Sequence, residues 1–117
     1  MSDKIKIGIE GEELAAQFLQ QKGFVVLERN YRYKKSEIDL IVKRENWLVF
    51  VEVKTRSSTA FGYPEEFVDY HKKKMIFAGA LNYMIEKDWQ GNVRYDIVAI
   101  QWMGNSHEIH HVEDAFY

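Results

Sequence analysis

The chain has no cysteine and only one proline, Pro64, in 117 residues. Without cysteine there is no disulfide framework, and zinc sites built on thiolates are excluded. No apolar run approaches the roughly 20 residues needed to span a bilayer. The opening stretch from Met1 to Lys6 lacks the apolar segment of a signal peptide, so the expected location is cytoplasmic, with no membrane partner. A strong excess of charge is also missing. The formal net charge is −2 and the pI about 6.1, which argues against an indiscriminate cationic coat for nucleic acid but leaves room for a local basic face. No internal repeat or low-complexity tract is present.

What remains is ordinary globular material. Residues of hydrophobic type make up 46% of the chain, which argues against disorder. The length suits one domain over residues 1–117.

Periodicity predicts a helix from Lys6 to Lys22, with Ile7, Leu14, Ala15, Phe18 and Leu19 at helical spacing. Gly8 and Gly11 weaken its first turns and point to a close backbone approach. Phe24 to Glu28 reads as a strand, and Arg29 to Ser36 as a polar connection. Glu37 to Val42 and Leu48 to Thr55 read as two strands of a hairpin, rich in β-branched residues. A loop is expected from Arg56 to Glu66, holding Pro64. A second helix is expected from an N-cap at Asp69 to about Lys87, with Ile76, Phe77, Ala80, Leu81 and Met84 as its apolar stripe. Strands at Val93–Trp102 and His107–Val112 complete an α/β order with a mixed sheet flanked by helices.

Charge is misplaced in the two hairpin strands. Asp39 lies in the first, Glu52 and Lys54 in the second. A charge in a buried strand is costly unless it is paired or binds a metal. Residues two apart share a strand face, so Glu52 and Lys54 point the same way. Strand adjacency brings Asp39 towards Glu52. Two carboxylates on neighbouring strands offer hard oxygens to Mg²⁺, which takes one or two carboxylates plus water and phosphate oxygens. A neighbouring lysine can orient water or stabilise charge developing on phosphorus. Glu12 or Glu10 on the first helix can add a carboxylate. The competing account is a same-face Glu–Lys pair on a solvated strand.

The arrangement of Asp39, then Glu52-Val53-Lys54, looks like the nuclease superfamily named for its PD-(D/E)xK motif. More closely, the whole chain resembles the YraN-like family of small uncharacterised bacterial proteins. The matching pieces are Gly8-x-x-Gly11-Glu12, Gly23-Phe24, Arg29-Asn30-Tyr31-Arg32, Glu37-Ile38-Asp39-Leu40-Ile41 and Leu48 to Arg56. Phe61-Gly62-x-Pro64, Lys74, Arg94 to Val98 and Ala115-Phe116 follow in the same order. The resemblance implies a restriction-endonuclease-like three-layer fold: an αβββαβ core, here with a short last strand. It implies Asp39, Glu52 and Lys54 as the catalytic and metal positions, with Glu12 as the helical acidic residue. Ser36 stands where that family usually has glycine, and Ile38 precedes Asp39 where the motif's name has proline.

The expected activity is Mg²⁺- or Mn²⁺-dependent hydrolysis of phosphodiesters in DNA, including branched or structured DNA. Arg29, Arg32, Arg56, Lys72, Lys73 and Lys74 are the expected phosphate holders. The alternative is a nucleic-acid-binding or assembly module that keeps the fold without cleaving. A homodimer through the edge strand at His107–Val112 is a further expectation. His107, His110 and His111 do not share one strand face, so they are not read as a metal cluster. Asp96 reads as structural, paired with Arg94 or a basic loop.

Overall fold

The computed structural model describes residues 3–56 and 69–116, and places the side chains from Ile9 onward. Helix α1 (Asp3–Gln21) leads into strands β1 (Val25–Tyr33), β2 (Ser36–Arg44) and β3 (Trp47–Arg56). Helix α2 (Tyr70–Glu86) follows, then β4 (Asn92–Met103) and β5 (Ser106–Val112). The five strands form one mixed sheet in the order β1-β2-β3-β4-β5, antiparallel except for the parallel pair β3–β4. Antiparallel neighbours need only tight turns, whereas the parallel pair needs a crossover; α2 lies in the β3–β4 connection.

Each face of the sheet carries one helix and one core. On one face Ala15, Ala16 and Leu19 of α1 pack on Leu40, Val42, Val49, Val51, Val98 and Ile100. On the other, Ile76, Ala80 and Tyr83 of α2 pack on Ile38, Ile41, Leu48, Phe50 and Ile97. Covering both faces explains why Leu48 to Val51 is continuously apolar: β3 is central and has no solvated side. Each fully buried aliphatic side chain there contributes roughly 1.5–3 kcal/mol. The architecture is the expected three-layer, restriction-endonuclease-like α/β arrangement.

Two expectations shift, and a third lies outside the described residues. The polar stretch from Arg29 is not a connection: β1 runs on to Tyr33, and the turn is Lys34-Lys35. As an edge strand, β1 tolerates charges that a central strand would not. On α2, Leu81 is 57% exposed, while Gly79 and Tyr83 are buried. Gly79 turns towards β2, where an added Cβ would collide with the Ser36 hydroxyl; this close approach rotates the buried face of the helix. Past Arg56, the expected loop to Glu66 lies outside the described residues. Among the described residues, no helix is long and apolar enough to cross a membrane.

Candidate functional site

The site begins where β2 and β3 part. Their ladder pairs Arg44 with Trp47 at the turn and runs to Leu40 opposite Val51. One residue further along β2, the Asp39 carboxylate replaces the missing backbone partner: its Oδ2 accepts the Val53 amide at 2.8 Å. Side-chain alternation also breaks at Asp39. Ile38 packs with the α2 core and Leu40, two residues on, with the α1 core. Across the β1–β2 ladder, Tyr31 faces Ile38 and Arg29 faces Leu40. Between them Asn30 takes a left-handed backbone, φ 51°, which asparagine tolerates better than most residues. The kink holds open a notch.

Glu52 enters that notch from β3, only 5% exposed. The Lys72 ammonium of α2 contacts its carboxylate, and Lys54 Nζ stands 3.8 Å away. Lys72 is placed by the cap of its own helix, because its backbone amide donates to Asp69 Oδ1 at 2.8 Å. A cavity of about 460 Å³ opens over Asp39, Glu52 and Lys72, with Lys35, Glu37 and His71 in its wall. From the other side of the sheet comes Glu12. Its helix can approach because Gly11 has no side chain: an added Cβ would collide with Thr55 Oγ1 of β3. The expectation of a close approach at Gly11 is met there.

The electrostatics follow from this crowding. Burial, reinforced by the Glu52 charge, pushes Asp39 up to about 7. Burial and then the Lys72 ammonium hold Lys54 below the ordinary lysine range. Burial also works to lower Lys72, but the Glu52 carboxylate outweighs it and holds that ammonium above the ordinary range. Burial raises Glu12, against a hydrogen bond from Asn30 and with the charges of Glu37 and Glu52 adding to the rise. Two carboxylates, one of them poorly matched by donors, fit a divalent cation by their chemistry. Glu12 adds to the negative field without closing a third direct position. Among the described residues, no three His, Asp or Glu side chains converge to hold a metal.

The expected phosphate holders divide. Lys72 belongs to the site itself. Arg29 is engaged by Glu13 at 2.6 Å, and Arg32 by Glu37 at 3.5 Å. Lys73 lies over the Phe116 ring and Lys74 over Tyr70. Arg56 is half-buried at the end of β3. The sequence reading placed Lys72 among the phosphate holders and did not foresee its contact with Glu52, although one signal was visible. Positive charge in the first turn opposes the helix dipole, and Glu52 is the anion that relieves it. It also missed Asn30, whose side chain supports Glu12. Ser36 has no positive φ; it is buried and donates to the Met75 carbonyl at 2.6 Å, and the bare Gly79 leaves room for it.

A mixed sheet between two helices, with Asp39, Glu52 and Lys54 where β2 and β3 part, defines a restriction-endonuclease-like domain. Residues 11–100 match the model of the family described as Uncharacterised protein family UPF0102. The chain belongs to that family, the one resembled above under the name YraN-like. A UPF0102 protein of Flavobacterium psychrophilum is 43% identical over 117 residues, covering 100% of this chain and 98% of its own. One from Flavobacterium johnsoniae is 45% identical, again covering 100% and 98%. One from Alkaliphilus oremlandii is 43% identical, covering 95% and 97%.

Proposed function

We propose that this chain is a metal-dependent nuclease that hydrolyses phosphodiester bonds in DNA, branched or structured DNA included. The observation that carries the reading is the Asp39–Glu52 pair. Two carboxylates share a notch between central strands, and Asp39 is pushed up to about 7 with one backbone donor to satisfy it. A fold does not retain so unfavourable a pair for packing alone. Asp39 and Glu52 would hold Mg²⁺ or Mn²⁺, with Glu12 adding to the negative field that draws it. The ion would supply charge neutralisation at phosphorus and a more acidic water.

The side chains divide the remaining work. Lys54, beside Glu52, orients the attacking water, whose proton passes to solvent, and its charge stabilises the charge developing on phosphorus. The water oxygen forms the new bond to phosphorus, the bond to the leaving sugar oxygen breaks, and that oxygen takes up a proton. Lys72 and Lys35 face the cavity as positive groups for the substrate's phosphates.

The test is cleavage of linear, flap and four-way DNA with Mg²⁺ or Mn²⁺. Glu52→Gln and Lys54→Ala should each lower the rate by about a hundredfold or more. Cleavage that survives both substitutions removes Glu52 and Lys54 from the chemistry. A second reading, a binding or assembly module that does not cut, is favoured by the Lys72 ammonium already neutralising Glu52. It predicts DNA binding whose log K falls with log salt, without product.

A further inference from the structure

Glu52 is the most buried acidic group of the notch, and its nearest positive charge does not come from its own strand. Lys54, two residues away on β3, stays at 3.8 Å. Lys72 crosses from α2 and makes the contact. Its reach is fixed at the base, where Asp69 caps the helix through the Lys72 amide. Its other end lies beside the cavity, and the side chain is 39% exposed. A buried carboxylate needs a counter-charge. One ammonium supplies one charge, and the space it fills is the space a cation on Glu52 would fill.

We propose that Lys72 is the resident counter-ion of Glu52, holding the cation position until a divalent ion displaces its ammonium into the cavity. Resting on the reading of Asp39 and Glu52 as a cation site, the proposal adds a control on it. Lys72 sets how strongly an ion must bind to enter, so the site rejects weakly binding cations. It also frees a positive group beside the phosphates of a substrate only after the ion has entered.

Mn²⁺ titration by calorimetry, without DNA, tests this. Lys72→Met should bind Mn²⁺ fivefold to tenfold more tightly than the unaltered protein. Lys72→Arg, which keeps the charge, should restore the weaker affinity. Lys87→Met removes the same charge at the far end of α2, about 22 Å away at 1.5 Å per residue, and should change nothing. Lys72→Gln serves as the second charge-removing variant should Lys72→Met fold poorly. Equal affinity in the Lys72→Met or Lys72→Gln variant and the unaltered protein overturns the proposal. So does equal tightening by Lys87→Met, which would make the effect one of net charge. Absence of cleavage by the unaltered protein, beside tighter Mn²⁺ binding by Lys72→Met, would sink the nuclease reading and leave the proposal standing. Glu52-dependent cleavage with unchanged Mn²⁺ affinity would do the reverse. No Mn²⁺ binding by any of the proteins removes both.

Discussion

Asp96 in β4 is fully buried, and four hydrogen bonds from this chain close on its carboxylate. Arg94 donates through Nε at 2.8 Å and through its second terminal nitrogen at 2.9 Å. His111 Nε2 lies at 2.7 Å and the Asp114 amide at 3.0 Å. His111 therefore donates from Nε2, and its Nδ1 accepts from Lys22 at 2.8 Å. Burial works to raise Asp96, but His111, Arg94 and the Asp114 amide outweigh it and hold the carboxyl below its usual range. Asp39, two strands away and half-buried, is also desolvated, but it has one amide and a neighbouring carboxylate, and it is pushed up to about 7. Burial is common to both. The difference lies in whether the chain itself completes the donor set. At Asp96 it does, and the C-terminal segment is fastened to the sheet. At Asp39 it does not, and under the proposed function a cation would supply the remaining positive charge.

The largest effect should come from undoing the complete set. Asp96→Ala leaves the Arg94 guanidinium, 13% exposed, against the His111 ring, with the more distant and exposed Glu113 carboxylate at 3.7 Å in place of Asp96. Breaking a buried pair in this way costs about 3–5 kcal/mol. The melting temperature should fall by roughly 10–20 °C. A loss below about 1 kcal/mol would mean that Asp96 is no better satisfied than Asp39, and the contrast would fail.

Asp39→Asn should do the opposite. The folded value of Asp39, about 7, lies above its ordinary value of 3.8. Its contribution to stability is therefore complete below about pH 4, falls as pH rises from about 4 to 7, and is flat beyond. Asp96, shifted down, contributes above its unfolded value, and that contribution is lost as pH falls through its lowered folded value. At pH 8 Asp39→Asn should gain on the order of 2–3 kcal/mol, discounted for partial exposure, and should flatten the slope between pH 4 and 7. Denaturant titrations at pH 5 and pH 8 check it. Unchanged slope in the variant would place the titration elsewhere.

How far the sequence foretold this contrast follows from the range of the interactions. Asp39, Glu52 and Lys54 were legible because charge in a central apolar strand is visible locally. Arg94 beside Asp96 was legible for the same reason, two residues apart on one face. His111 and Asp114 were not, because they reach Asp96 from β5 and the C-terminal segment, and Lys22, just past α1, supports His111 in turn. Lys72 was assigned to phosphate contacts because its partner lies across a crossover that periodicity cannot measure. The second half of β1 read as a connection because an edge strand has no need of apolar residues. Leu81 read as core because a helical stripe assumes a face centred on large side chains, whereas α2 turns its bare Gly79 inward against Ser36.

The smallest effect tests how the incomplete set is held open. Gly11→Ala places a methyl against Thr55 Oγ1. Overpacking of that kind costs about 1–3 kcal/mol, and the better helix propensity of alanine returns up to about 1 kcal/mol. A net loss of about 1 kcal/mol is expected. Adding Thr55→Ala should recover most of it, because the two substitutions share one contact and are not additive. The displaced turn also carries Glu12, whose charge is one of the smaller influences raising Asp39. In Gly11→Ala the slope between pH 4 and 7 should therefore shrink slightly, while the acid limb governed by Asp96 keeps its position. If both limbs move together, α1 would be acting on the whole sheet rather than on the notch. A shift confined to the Asp39 limb would show that the helix is placed to tune one carboxylate and not the other.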